Sequence, residues 1–190
     1  MQRIAEGLWR WTVRHPEWEA DAEPDSPADW PPDVGCVAYE TAGSVVLIDP
    51  LVVDGWAPLD ELVAGRTVSV LTTIGWHRRS SDEVIARYSA STAVPAGVEA
   101  IELPEAGETI FWLPAPRALV PGDRIIGAAG GGLRLCPESW LRYLPSGIRL
   151  EELRGQLRPL LALPVERVLV SHGEPVLERG HDALVEALAA

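Results

Sequence analysis

The sequence predicts an α/β protein in which two β-sheets lie in the middle and helices cover them on the outside. Short apolar runs rich in β-branched residues recur along the chain, and amphipathic segments with helical periodicity lie between them. The first strands form hairpins, and later strands alternate with helices, which favours layered sheets. Apolar residues make up 47% of the 190 residues and charged residues 23%, as in an ordinary globular domain. We therefore expect one domain over residues 1–190.

The N-terminal segment begins with alternating apolar and polar residues and continues into a stretch without helical or strand periodicity. Residues 3–14 alternate apolar and polar side chains, which predicts a first strand. The stretch 15–33 is acidic and contains five prolines, so it cannot form regular structure. A loop of this length is often a flap over a functional site. A solvated surface excursion fits the same residues, and both interpretations stay open.

The remaining elements follow from periodicity and turn residues. The first half predicts strands at 34–40 and 45–49, a helix at 54–64, a strand at 67–73 and a helix at 80–89. Ser80 and Glu83 form a capping-box pattern at the start of that last helix. The second half predicts strands at 98–103, 109–113, 118–120, 124–126 and 168–170 and helices at 150–163 and 181–188.

Charge and composition exclude several classes of partner. The formal net charge is -12 and every basic residue is arginine, without a basic stripe, so no nucleic-acid or anionic-membrane partner is expected. The first residues lack the apolar region of a signal peptide. Cys36 and Cys136 belong to no paired motif. These features favour a cytoplasmic protein with two free thiols.

Four stretches in order carry a resemblance to a known family. They are VGCVAYETAGSVVLIDP at 34–50, VLTTIGWHRR at 70–79, ALVPGD at 118–123 and VLVSHGEPV at 168–176. Each lies at the end of a predicted strand, and together they resemble the metallo-β-lactamase family. The resemblance implies a four-layer αββα sandwich. It also implies that Asp49 supports the metal-site loop, that Asp123 bridges two metals and that His172 is the last histidine ligand.

The resemblance also implies that most metal ligands have been replaced. The three histidine positions of the first metal site correspond to Thr73, Gly75 and Ala106, which cannot hold zinc. The second site corresponds to His77, Arg78, Asp123 and His172. A dinuclear zinc hydrolase is therefore not expected.

Two interpretations of this second site remain. In the favoured one there is no cofactor: Arg78 pairs with Asp123 and supplies the positive charge of the lost metal, which makes the protein a pseudoenzyme. In the alternative, His77, Asp123 and His172 are catalytic and hold one zinc, iron or manganese ion that serves hydrolysis of an ester or thioester. An arginine beside the ion would repel it, which counts against this alternative.

A small molecule is the expected ligand under either interpretation. Arg78 and Arg79 are candidates for binding substrate charge, and Trp76 is expected at the mouth of the pocket because it lies inside the former ligand loop. A third hypothesis is an interaction or scaffold domain that uses the outer surface of the fold. The sequence does not fix an oligomeric state.

Overall fold

The computed structural model describes residues 1–23, 26 and 28–190, and within that part of the chain eleven strands form three sheets. The strands are β1 (Gln2–Ala5), β2 (Leu8–Arg14), β3 (Asp33–Glu40), β4 (Ser44–Ile48), β5 (Thr67–Leu71), β6 (Glu99–Leu103), β7 (Glu108–Leu113), β8 (Ala118–Val120), β9 (Ile125–Gly127), β10 (Leu133–Leu135) and β11 (Arg167–Val168). The helices are α1 (Ala57–Val63), α2 (Ser81–Tyr88), α3 (Leu150–Leu157) and α4 (Gly180–Ala189). Short 3₁₀ turns connect several of them.

The strands form two main sheets and one small one. The first has the order β1-β2-β3-β4-β5, antiparallel except for the β4–β5 pair. The second has the order β11-β8-β7-β6, with β11 parallel to β8. Strands β9 and β10 form an antiparallel pair. Neither parallel pair is a hairpin, because parallel strands need a crossover.

Alternation along the strands divides the core into layers. In β3 and β4, Val37 and Val46 pack with Phe111 and Val120 of the second sheet, so their faces form the layer between the sheets. Their neighbours Ala38, Val45 and Leu47 point to the other face and pack against α1 and α2. The outer face of the second sheet is covered by residues of α3 and α4. The result is helix, sheet, sheet and helix in four layers.

Several boundaries differ from the sequence prediction for physical reasons. The predicted first strand is a β1–β2 hairpin, turned at Gly7, which has a positive φ of 65°. The predicted helix at 150–163 is α-helical only through Leu157 and continues as a 3₁₀ turn at 158–162. Pro159 explains the change, because it has no N–H and its ring crowds the preceding turn. Strand β10 was not predicted.

The capping box at Ser80 is absent. Helix α2 begins at Ser81, next to the predicted position, but the Ser80 side chain makes no cap hydrogen bond. Its Oγ instead accepts the N–H of Val52 at 3.1 Å. The hydroxyl therefore holds the loop after β4 rather than the helix end.

The proline-rich segment between β2 and β3 is only partly described. Part of it, including Pro24, Asp25 and Pro27, lies outside the described residues. Within the described part, Trp18 donates its indole N–H to the Trp30 carbonyl at 2.8 Å. Across the described chain, each helix is too short or too polar to cross a bilayer.

Candidate functional site

Four buried side chains from four strand ends meet at one edge of the sandwich. Asp49 directly follows β4, and His77 lies in the 3₁₀ turn Gly75–Arg78 after β5. Asp123 follows β8, and His172 follows β11. All four are no more than 6% exposed. Residues that end neighbouring strands are carried to the same edge of a sheet, which is why positions far apart in sequence meet here.

His77, Asp123 and His172 have the arrangement of a ligand set. Each offers one donor atom, and the three atoms lie within 4.8 Å of one another. Nε2 of His77 is 3.0 Å from Oδ1 of Asp123, and Nε2 of His172 is 3.3 Å from the same oxygen. Neither contact has hydrogen-bond geometry, so this buried oxygen has no hydrogen-bond donor among the described residues. Two imidazole nitrogens and one carboxylate form a donor set that suits a single divalent ion.

Asp49 fixes the orientation of His77 from behind. Its Oδ2 accepts the Thr73 hydroxyl at 2.5 Å and lies 2.9 Å from Nδ1 of His77, while its Oδ1 accepts the Thr73 N–H at 2.8 Å. With Nδ1 facing a carboxylate, Nε2 is directed toward Asp123 and His172. Asp49 itself has a φ of 49°, in the left-handed region, a strain that is often held at functional sites. A carboxylate behind a histidine is the usual support of a metal-ligating imidazole.

The charges in this cluster perturb the pKa values of its members. Burial lowers the pKa of His77, but the carboxylates of Asp123 and Asp49 outweigh burial and raise it to about 9. Burial raises the pKa of Asp123, yet the two neighbouring imidazoles hold it well below its ordinary value. The pKa of His172 is lowered, chiefly by burial, which Asp123 partly opposes. At neutral pH and without an ion, His77 is therefore the cation of the cluster, and the lowered pKa of His172 favours its neutral form.

Trp76 contacts both Asp123 and a buried arginine. Its indole N–H donates to Oδ2 of Asp123 at 2.6 Å, although 58% of the residue is exposed. Its ring lies 5.6 Å from the guanidinium carbon of Arg124, which is fully buried. Oδ2 of Asp123 therefore accepts the Trp76 N–H, whereas Oδ1 faces His77 and His172. Trp76 lies at the cavity, as the sequence places it.

A buried glutamate supports the turn that carries Asp123. Glu108 Oε1 accepts the N–H of Gly122 at 3.1 Å, and Oε2 accepts those of Asp123 and Arg124 at 2.8 and 2.9 Å. Burial raises the pKa of Glu108 to about 7, against the opposing charge of Arg124. Nε of Arg124 donates to the Ala106 carbonyl at 2.9 Å. These contacts hold the Asp123 turn rigidly in place.

The resemblance assigns Thr73, Gly75 and Ala106 to the three histidine positions of the family's first metal site. Thr73 is buried and contacts Asp49 and His77, so it supports the cluster. Gly75 opens the 3₁₀ turn and has no atom near its missing Cβ. Ala106 is fully buried and contributes its carbonyl oxygen to Arg124. None of the three side chains carries a nitrogen that could replace a histidine ligand.

The predicted ion pair between Arg78 and Asp123 is wrong. Arg78 is exposed and donates to Asp82, four residues further on, through Nε and Nη2 at 2.6–3.1 Å. The pair forms on the solvent side because the 3₁₀ turn that directs His77 inward directs its neighbour outward. Arg78 does not line the cavity described below. A role for it in substrate binding stays a prediction.

Arg79 is the arginine that turns toward the site. Its Nη1 donates to the carbonyls of Gly35 and Asp49, each at 2.9 Å, and its Nη2 donates to Oγ of Ser171 at 2.7 Å. These bonds join the ends of β3, β4 and β11. Its φ of 40° makes it a second left-handed residue in the site. Arg79 therefore positions three strand ends, and the predicted contact with substrate charge stays untested.

A cavity of about 320 Å³ opens above the cluster. Its ionisable lining residues are His15, Glu17, His77, Arg79, Asp123 and His172, and its aromatic or aliphatic ones are Trp30, Val34, Trp76, Trp140 and Tyr143. His15, Glu17 and Trp30 come from the proline-rich segment, which therefore borders the cavity. The size lies at the lower end of small-molecule sites, about 300–1,000 Å³.

Sequence reasoning missed several residues around this cavity. It assigned Trp30, Trp140 and Tyr143 no functional role, and it did not single out Glu108 or Arg124. Trp30 and Trp140 pack edge-on against His172, with ring centroids 5.5 and 5.6 Å apart. The one available signal was a glutamate opening an otherwise apolar strand, GETIFWL at 107–113. A buried charge in such a position needs a partner.

Comparison with known proteins identifies the architecture. Neither a protein-family model nor a curated protein matches the sequence. Solved structures do match: a metallo-β-lactamase from Erythrobacter litoralis has a TM-score of 0.58 at 13% identity, over 99% of this chain and 95% of that one. The metallo-β-lactamase family protein TTHA1429 from Thermus thermophilus gives 0.52 at 16%, over 98% and 80%.

A third similar structure contains metal. It is TTHA1623, crystallised in a di-iron-bound form, with a TM-score of 0.54 at 19% identity over 76% of this chain and 90% of that one. At such identities the likeness shows the fold alone. It agrees with the four layers. The chain therefore has the metallo-β-lactamase fold.

Proposed function

We propose that this protein holds one divalent metal ion through His77, Asp123 and His172 and hydrolyses an ester, a thioester or a similar carbonyl compound. The observation that carries the proposal is Oδ1 of Asp123. This oxygen is buried, has no hydrogen-bond donor among the described residues and lies 3.0 and 3.3 Å from two imidazole nitrogens. A buried acceptor without a partner costs about 1–3 kcal/mol, and more when it is charged. The protonated His77 ring offsets the charge of Asp123 without giving Oδ1 a hydrogen bond, and an ion among these three atoms would supply the missing partner.

Arg78 does not oppose an ion at this site, because it bonds to Asp82 at the surface. The nearest fixed cation in the cavity lining is Arg79, whose Nη atoms are bonded to two carbonyls and a serine. The chemistry of the donor set, two nitrogens and one carboxylate oxygen, suits zinc, iron(II) or manganese. The di-iron form of TTHA1623 is consistent with metal binding on this fold.

Each residue has a definable task in this proposal. When bound, the ion supplies Lewis acidity that activates water and polarises a carbonyl group. Asp49 keeps Nδ1 of His77 occupied so that Nε2 is the free donor. Trp76 holds Oδ2 of Asp123 and leaves Oδ1 available. The cavity gives a substrate room above the cluster.

Elemental analysis tests the proposal directly. Protein purified without chelator should contain close to one equivalent of zinc, iron or manganese, and His172→Ala should lose it. His181→Ala is the matched control, since His181 lies outside the cavity and contacts the Leu161 carbonyl at 3.1 Å. The metal-loaded parent should hydrolyse an aryl ester, and a chelator should abolish the activity. Less than about a tenth of an equivalent of metal, after supplementation with each ion, would contradict the proposal.

A second candidate function is the binding of a small molecule without hydrolysis. The specific observation in its favour is the position of His77, whose two ring nitrogens lie 2.9 and 3.0 Å from two carboxylates. With Trp76 donating to the same aspartate, the cluster carries an internal cation without a metal. This candidate predicts a protein that binds ligands in the cavity equally well with and without chelator. The ester assay separates the two, because only the first candidate gives chelator-sensitive turnover.

A further inference from the structure

The cationic groups that line the cavity are already engaged by the protein, and His77 lies between the carboxylates of Asp49 and Asp123. Arg79 is the one arginine that lines it within the described part of the chain, and its terminal nitrogens are bonded to the carbonyls of Gly35 and Asp49 and to Oγ of Ser171. Its Nε is buried without a partner, out of reach of a ligand in the cavity. Arg124 has no exposed surface. A carboxylate or phosphate on the substrate would therefore find no preformed guanidinium partner.

Aromatic side chains provide most of the remaining recognition surface. Trp30, Trp76, Trp140 and Tyr143 all line the cavity. Three of them are held in place: Trp30 and Trp140 pack edge-on against His172, and Trp76 is bonded to Asp123. Tyr143 is 75% exposed and has no comparable restraint among the described contacts. Fixed aromatic faces bind a flat ring with little loss of side-chain entropy.

We infer that the cavity selects substrates carrying a flat aromatic group without a negative charge. This inference names the substrate class of the proposed function and rests on it for the reacting bond. Offset or edge-on contacts with the four aromatic residues favour a ring over a saturated group of the same shape. The volume of about 320 Å³ limits the group to one or two fused rings rather than a peptide or an oligosaccharide.

Binding to chelator-treated protein tests the substrate class separately from metal and catalysis. Isothermal titration would compare 2-naphthol with decahydro-2-naphthol, which has the same outline without aromaticity, and with 2-naphthoate, which adds a charge. Two good aromatic contacts correspond to about tenfold tighter binding of 2-naphthol than of its saturated analogue. We expect 2-naphthoate to bind no more tightly than 2-naphthol. Equal affinity for the aromatic and saturated alcohols, or strongest binding of the anion, would overturn the inference.

Tyr143 offers a variant that does not endanger the fold. Tyr143→Ala should weaken 2-naphthol binding about three- to tenfold, whereas Tyr143→Phe, which keeps the ring, should bind like the parent. Val185→Ala is the control, because Val185 is exposed on α4 and does not line the cavity. If Tyr143→Ala and Val185→Ala bind 2-naphthol with the same affinity, Tyr143 takes no part in binding. In that case Trp76→Leu must weaken 2-naphthol binding, and an unchanged affinity in this variant would overturn the inference. Because no ion is present, loss of the metal proposal would leave these affinities unchanged.

Discussion

Asp49→Asn is the most informative perturbation of the candidate metal centre, because Asp49 supports the candidate ligand His77 and is not itself a candidate ligand. The carboxylate accepts a backbone N–H and a hydroxyl from Thr73 and faces Nδ1 of His77. Asparagine keeps the shape but has one acceptor oxygen and one NH₂ group. In either orientation, the NH₂ group of asparagine replaces one of the two acceptor oxygens. The Thr73 N–H or the Thr73 hydroxyl then loses the oxygen to which it donates. The negative charge behind His77 is also lost.

The magnitude follows from the number and type of contacts. Removing a carboxylate behind a metal-bound histidine weakens metal binding about 10–100-fold. That factor corresponds to about 1.4–2.8 kcal/mol. Since Asp49 is 3% exposed, its lost charged hydrogen bonds should also lower the free energy of unfolding of the metal-free protein, by about 1–3 kcal/mol. Both effects have the same origin, so the variant should lose affinity and stability together.

Competition against a chromophoric chelator measures the first effect, and urea denaturation of the metal-free protein measures the second. Asp60→Asn is the matched control: Asp60 accepts hydrogen bonds from Arg87 and Tyr88 at the surface, away from the cavity. It should leave the metal affinity unchanged. If Asp49→Asn binds metal as tightly as the parent, Asp49 does not orient a ligand, and the assignment of His77 fails with it.

Three further predictions follow from buried contacts. Burial raises the pKa of Cys36 and of Cys136 to about 11, so at pH 8 both thiols are protonated and should react with a disulfide reagent only after denaturation. Gly122→Ala places a Cβ 2.7 Å from the hydroxyl oxygen of Thr73 and should lower the free energy of unfolding, measured by urea denaturation, by about 1–3 kcal/mol. Gly43→Ala is the control, because its Cβ meets open space, and it should change the free energy of unfolding by less than about 0.5 kcal/mol. Glu108→Gln replaces one of the two acceptor oxygens with an NH₂ group, so that at least one of the three backbone N–H groups loses its acceptor; it should cost about 1–3 kcal/mol, with a lower Tm by calorimetry.

The layers of the fold were predictable because the signals are local. Alternation in β3 and β4 assigns neighbouring residues to opposite faces, and the structure places Val37 and Ala38 in different layers as the pattern requires. The error at α3 came from giving apolar periodicity more weight than Pro159, whose missing N–H ends the α-helical bonding. Helix periodicity continues through the 3₁₀ turn, so the pattern alone does not mark the change.

The candidate site was predictable only in part. The resemblance located Asp49, His77, Asp123 and His172 at strand ends, and the structure brings all four together. The pairing of Arg78 was not predictable from charge. Two arginines follow His77, and the direction of each side chain depends on the turn that carries them. Asp82 lies four residues after Arg78 on the same solvent side, so the nearer acid is the partner.

The buried contacts that hold Asp123 could not be predicted from the sequence, yet they bear most directly on function. Glu108 holds the backbone of the turn, and Trp76 holds one carboxylate oxygen at 2.6 Å. With backbone and Oδ2 both fixed, Asp123 cannot rotate to satisfy Oδ1 without breaking a bond. A residue kept only for stability would be expected to have both buried oxygens satisfied. A carboxylate fixed with one oxygen unpaired between two imidazoles is the feature on which the proposed metal site depends, and the elemental analysis of the parent and of His172→Ala tests it.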